Sequence, residues 1–365
     1  MKPPGPVPDP LAGFELAVSG IGGVEHSARV RRGMWLHSTL PRPPVGQTPN
    51  VEIHRHDKLV VRYYAPVDEH ATQTPIVVVP SLINRAYVCD LEPDRSLVNG
   101  LAQLGHPVYL VDWGVPGPED ANEGVEYVLL TLLQRSILRI RHHSRRAGRS
   151  DQVILLGYCQ GGTLSAMYTA LRPQGIAGLS CLATPVDFSE GGRFADFANA
   201  GEIDGVIGPD GLVDLDIMAS AFKLLDPMGN WSKYLALESA AQNPRRLART
   251  LARERWLEEN VPLPGRFAKE FIGNAYQHNR LIEGTWEVGG EPIRLRNIRC
   301  PVLVTPCKRD FIAPPQSCLP LAEHVGSADV TLELLEAGHI GCIVGGFGPK
   351  VYYPLLDAWF RKVSA

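Results

Sequence analysis

A chain of 365 residues, 44% apolar and 21% charged, has ordinary globular proportions and enough length for one buried core carrying an insertion. Its formal charge of -3, with acidic and basic residues interspersed, excludes the clustered cationic surface of a nucleic-acid binder. No stretch approaches the roughly 18 apolar residues of a membrane span, the opening Met1-Lys2-Pro3-Pro4-Gly5-Pro6 lacks a signal peptide's apolar run, and the seven cysteines form an odd set without a disulfide framework, so a reduced, cytoplasmic setting is expected.

In chain order, residues 1–50 read as a Pro- and Gly-rich peripheral arm holding one short helix, Val24 to Leu40. Val51-Glu52-Ile53 and Leu59 to Tyr63 flank a polar His56-Asp57 pair and predict a hairpin of edge strands. The run Ile76 to Val79, stopped by Pro80, and the run Val108 to Val111 predict fully buried strands. Between them, Asp94 is the candidate cap of a helix ending at Gly105. Asn122 opens a helix with Val125, Leu129, Leu132, Leu133, Ile137 and Ile140 at helical spacing, ending near Gly148. A strand at Val153 to Leu156, a helix from Thr163 and a strand at Leu179 to Leu182 continue the alternation, which argues for a parallel sheet flanked by helices. From 190 to 298 helical segments, prolines and Trp231, Trp256 and Trp286 replace it, as expected of a mainly helical cap inserted into the core. The sheet resumes at Val302 to Thr305 and Val330 to Leu335, and Val351 to Val363 makes a closing helix.

Gly157-Tyr158-Cys159-Gln160-Gly161 directly follows one buried strand and directly precedes a helical pattern. That is the form of a nucleophile elbow with Cys in place of Ser: a sharp turn exposes the nucleophile, and small residues two positions either side let the backbone pass closely. The helix N-terminus behind it favours negative charge on a thiolate and an oxyanion. The bland alternative is a Gly-rich turn around a buried Cys. An elbow needs an acid and then a histidine later in the chain; Asp310 follows the strand Val302 to Thr305, and His339 follows the strand Val330 to Leu335. Both lie at the carboxyl ends of strands, where sites of open α/β sheets are built. Singly, Asp310 reads as a turn residue and His339 as a buried core histidine; in this order they read as a triad in which His339 takes protons and Asp310 holds its tautomer. The expected oxyanion hole combines the Gln160 amide with that of Ile83 in the loop Pro80 to Asn84. The fold class expected is therefore the α/β-hydrolase fold, a mostly parallel sheet flanked by helices, with core segments 51–189 and 299–365 and the cap at 190–298.

A thiol also bears on the reaction. Moving an acyl group from a coenzyme A thioester to Cys159 exchanges one thioester for another, so the transfer potential survives to acylate a second hydroxyl. Hydrolysis gains nothing from keeping it.

Around these residues the chain resembles the poly(3-hydroxyalkanoate) synthases, closest to the catalytic subunit of the two-subunit type, from about Val51 onward. The stretches that carry the resemblance are Leu82 to Leu91 with Ser96-Leu97-Val98, Val111-Asp112-Trp113-Gly114, Gly157 to Gly162, Thr184 to Phe188 and Gly338-His339-Ile340-Gly341. It implies that Cys159 carries the growing acyl chain with His339 as base and Asp310 assisting it, on (R)-3-hydroxyacyl coenzyme A. It further implies a polyester chain or granule surface as partner, a homodimer, a companion synthase subunit, and no cofactor beyond the thioester substrate. The chain departs from the family in reading Asp310-Phe311, where a His commonly follows the Asp. Two other readings stay open: a polyester depolymerase or acyl thioesterase on the same scaffold, and a non-catalytic granule-bound or subunit-binding protein. No metal is expected, since His54-Arg55-His56-Asp57 on a short hairpin lacks further ligands and Cys300, Cys307 and Cys342 lack paired spacing. Arg245, Arg246, Arg249, Arg253 and Arg255 read as a solvated helix face.

Overall fold

The computed structural model describes residues 12–67, 71–201, 203–225 and 227–364, so the first eleven residues of the expected arm lie outside it. Strands β1 (Val51–His56) and β2 (Leu59–Tyr64) pair antiparallel as the predicted hairpin, turning through Asp57 at positive φ. Next come β3 (Ile76–Val79), β4 (Val108–Asp112), β5 (Val153–Tyr158) and β6 (Ile176–Leu182). A separate two-stranded ribbon, β7 (Glu287–Val288) and β8 (Glu291–Pro292), precedes β9 (Val302–Thr305) and β10 (Val330–Leu332). The main sheet has the order β1-β2-β4-β3-β5-β6-β9-β10. Only β1 and β2 run antiparallel to their neighbours; from β4 to β10 every pairing is parallel. Strands β3, β5 and β9 are buried along their whole length, which is why they read as unbroken apolar runs rather than as alternation.

The helices follow the predicted order with shifted ends. α1 (Ala12–Thr39) extends well upstream of the expected Val24. α2 (Leu97–Gln103) is capped by Ser96, whose hydroxyl accepts the Asn99 N–H at 3.0 Å; Asp94, the expected cap, sits instead in the preceding 3-10 turn. The helix expected from Asn122 starts at Val125, because the Asp120 carboxylate closes a turn on the Gly117 N–H and Glu270 accepts the Val125 N–H. It runs through a π turn, Tyr127–Leu133, into α3 (Gln134–Arg146). α4 (Gln160–Leu171) begins three residues before Thr163. β10 is shorter than expected, and Leu335 rejoins the sheet only as an isolated bridge to Cys307. The closing helix is Tyr353–Ser364 after a π turn, and wholly buried His106 anchors it by bridging Thr72 at 3.0 Å and Asp357 at 2.9 Å.

Between β6 and β9 the chain is mainly helical: α5 (Gly192–Ala200), α6 (Leu215–Leu225), α7 (Pro227–Ala240), α8 (Pro244–Glu258) and α9 (Gly265–Phe271). The described chain divides into two compact units, one of residues 45–225 and 256–364 that holds both sheets, and a helical one of residues 12–44 and 227–255. Within the helical unit α1 packs on α7, with Gly33 so close to the Tyr234 carbonyl that no side chain would fit there.

Candidate active site

β5 ends at Tyr158 and α4 begins at Gln160, so Cys159 alone makes the turn between them, at φ 54° and ψ −127°. A non-glycine residue held there stores strain on the order of 1–3 kcal/mol, which persists only where the surroundings dictate it. The surroundings do: the Cys159 N–H donates to Leu182 O at 2.9 Å and its carbonyl accepts from Gly162 and Thr163. The glycines leave no alternative, since a Cβ at Gly157 would overlap Gly162, one at Gly161 the Val79 and Pro80 carbonyls, and one at Gly162 the Thr184 side chain. Gly161→Ala is therefore expected to destabilise the fold by about 2–3 kcal/mol, as overpacking against rigid backbone does. Thermal denaturation checks it: an unchanged melting temperature means that β3 yields where the packing says it cannot.

Asp310 lies just past β9 and His339 past β10, and the structure brings both to the elbow. Asp310 Oδ1 accepts the N–H groups of Ile312 and Ala313, each at 2.9 Å, and Oδ2 meets His339 Nδ1 at 2.6 Å. That leaves His339 Nε2 for the Cys159 thiol, which lies close enough for its charge to act on the imidazole. With Asp310 6% and His339 9% exposed, the pair is shielded from water and its charge-assisted bond is strengthened. Burial by itself would push the imidazole down; negative charge on Cys159 and Asp310, with hydrogen bonds to both, instead raises it well above its ordinary value. Phe311, at the position where the synthases commonly carry a histidine, is 46% exposed and adds no titratable group beside Asp310.

The expected oxyanion loop is pinned to the elbow. The Gln160 side chain accepts the Leu82 N–H at 3.1 Å, Trp113 Nε1 donates to Pro80 O at 2.9 Å, and Ile83 O accepts the Val261 N–H at 3.0 Å. Among the described residues the N–H groups of Ile83 and Gln160 find no protein acceptor, so both are available to a ligand.

Three features escaped the sequence reading. Tyr158 donates to His339 O at 3.2 Å and lies against its ring, centroids 5.2 Å apart, fixing the imidazole from behind; its place inside the pentapeptide was the available signal. Tyr276, in a π turn, faces the site beside Phe188 and Phe194, and burial, with Cys159 and Cys318 next to it, pushes its phenol up. Nothing local to Tyr276-Gln277-His278 announces that. Lastly, Cys307, Cys318 and Cys342 gather around the triad, Cys342 donating to His339 O at 3.2 Å. The Cys342 thiol is raised by its hydrogen bond to Cys307 and by burial, and Cys318 by burial. Burial likewise raises Cys89 to about 12 and Cys300 to about 11, which keeps these thiols protonated at neutral pH.

A parallel sheet with a strained elbow after its central strand, opposite an Asp-held histidine, defines the α/β-hydrolase fold. Solved structures agree on the fold: a soluble variant of monoglyceride lipase from Saccharomyces cerevisiae (TM-score 0.58, 14% identity, 89% of this chain and 100% of that one) and the enol-lactonase from Burkholderia xenovorans (TM-score 0.51, 16% identity, 86% and 100%). The family described as "Protein of unknown function (DUF3141)" matches residues 60–334. The poly(3-hydroxyalkanoate) polymerase subunit PhaC of Synechocystis sp. is 31% identical over 327 residues, 87% of this chain and 85% of that protein. The namesake subunit of Allochromatium vinosum is 29% identical over 93% of this chain and 96% of its own length; that of Haloferax mediterranei is 30% identical over 89% of this chain, which spans 66% of that longer protein. The chain belongs to the PhaC family of poly(3-hydroxyalkanoate) polymerases.

Proposed function

We propose that this chain is an acyltransferase that polymerises (R)-3-hydroxyacyl units from coenzyme A thioesters into polyester and releases coenzyme A, through a thioester on Cys159. The observation that carries the reading is the thiol at the strained elbow, beside an imidazole whose Nδ1 is held by Asp310 at 2.6 Å. His339 takes the thiol proton, the sulfur attacks the thioester carbonyl, and the Ile83 and Gln160 amides receive the oxyanion. Coenzyme A leaves as its free thiol, taking that proton from His339 and returning the imidazole to its neutral form. The imidazole then removes a proton from the hydroxyl of another unit, which attacks the acyl-cysteine, forms the ester and frees the sulfur.

Among the described residues no helix is long and apolar enough to cross a membrane. The matched proteins of Synechocystis and Allochromatium are named as subunits, which supports a companion subunit here; a homodimer, a cytoplasmic setting and attachment to the polyester granule surface belong to the same proposal. The test is coenzyme A release from 3-hydroxybutyryl coenzyme A, followed by product sizing. Polymer is the expected product. Stoichiometric free hydroxy acid would make the chain a thioesterase, and no release with or without a companion subunit would overturn the reading.

A further inference from the structure

Two residues beyond Ile83, Arg85 carries a charge that no side chain among the described residues answers. Its Nε is buried without a partner, and among the described residues its terminal nitrogens find no acceptor and no carboxylate pairs with it. A guanidinium taken partly out of water and left unpaired is costly, so an orphaned buried donor calls for a ligand or a reason. The rest of the loop is committed. Arg85 O accepts from Trp256 Nε1 and from the Val88 N–H, both at 3.2 Å; Asn84 donates to Asn260 at 3.4 Å; and Tyr87 donates to Glu259 at 2.9 Å. The backbone is thus pinned on both sides of Arg85 while its guanidinium is left without a partner among the described residues, as a preorganised anion receptor would be.

Position identifies the anion. Two residues of chain span at most about 7 Å, so the Arg85 backbone borders the loop whose Ile83 amide faces the reacting carbonyl. On the reading above, the molecule bringing anionic oxygens to this rim is the acyl donor, whose coenzyme A carries phosphates, and a planar guanidinium fork matches phosphate oxygens two at a time. We propose that Arg85 binds a phosphate of the donor's coenzyme A; the assignment rests on the donor being a coenzyme A thioester.

The experiment titrates coenzyme A and pantetheine calorimetrically into the full chain and its Arg85→Gln and Arg85→Lys variants, and measures kcat and KM with 3-hydroxybutyryl coenzyme A. Arg85→Gln is expected to weaken coenzyme A about 10-fold or more, the scale of one charge-assisted contact. It should leave pantetheine unchanged and raise KM with little effect on kcat; Arg85→Lys should recover part of the loss. Equal binding of coenzyme A by wild type and Arg85→Gln, or equal losses for coenzyme A and pantetheine, would overturn the proposal. So would a melting temperature lowered alike in both variants, which marks a structural residue, since removing an unpaired charge should not destabilise. Wild-type polymer formation tests the donor assignment separately: polymer with an indifferent Arg85 sinks the phosphate site alone.

Discussion

Cys159→Ala is expected to lower polymer formation and coenzyme A release by on the order of 10,000-fold or more, as loss of a nucleophile does where it works as a unit with its base. The fold should survive, because the elbow is held by main-chain bonds to Leu182, Gly162 and Thr163 and by glycine contacts rather than by the thiol. A companion substitution separates strain from chemistry. At φ 54° glycine is at ease and alanine is not, so Cys159→Gly should be equally dead yet more stable than Cys159→Ala by about 1 kcal/mol, once the added flexibility of its unfolded chain offsets part of the 1–3 kcal/mol of relieved strain. Intact-mass spectrometry after mixing with donor should show an acyl adduct on wild type and none on either variant. An adduct persisting in Cys159→Ala, or polymer at the wild-type rate, would remove the sulfur from the mechanism.

The sheet was readable because its interior is buried on both faces. Ile76 to Val79 and Val302 to Thr305 have no solvent side to encode, and the observed bounds of those two strands are the predicted ones. The elbow was readable for a steric reason: where two strands and a helix start crowd one turn, only glycine fits at 157 and 161, and that spacing is visible in one dimension. Helix ends were less legible, because hydrogen bonds between neighbours in space decide them. Ser96 rather than Asp94 caps α2 because the Ser96 hydroxyl reaches the Asn99 amide, and the Glu270 carboxylate, 145 positions away, meets the first helical amide at Val125. The order of Asp310 and His339 in the chain could be read, but their 2.6 Å bond could not, nor could Tyr158 behind the imidazole or Tyr276 beside the thiol. The unpartnered Nε of Arg85 is still less a property of sequence, since the nearby Asn84, Tyr87, Glu259 and Asn260 are paired with one another instead.

Asp310→Asn is expected to cost nearly as much activity as loss of the thiol, on the order of 10,000-fold, with little change of shape. Ile312 and Ala313 both donate to Oδ1 at 2.9 Å, so an asparagine keeps its carbonyl oxygen there and turns its NH2 toward His339 Nδ1. Nδ1 must then accept, which places the imidazole proton on Nε2, facing Cys159, and a nitrogen that already carries a proton cannot take one from the thiol. The same change alters stability with pH in a definite direction. In the wild type His339 titrates well above its ordinary 6.5, so it contributes stability that is complete below 6.5 and disappears as pH rises through the folded-state value. Removing the Asp310 charge shrinks that shift. The destabilisation of Asp310→Asn should accordingly be largest below pH 6.5 and decline toward alkaline pH, as measured by urea unfolding across the range. Single-turnover acylation of Asp310→Asn at the wild-type rate would show that the carboxylate neither sets the tautomer nor supports the imidazolium; a stability difference constant across pH would show that the carboxylate and the imidazole are not coupled in the folded protein.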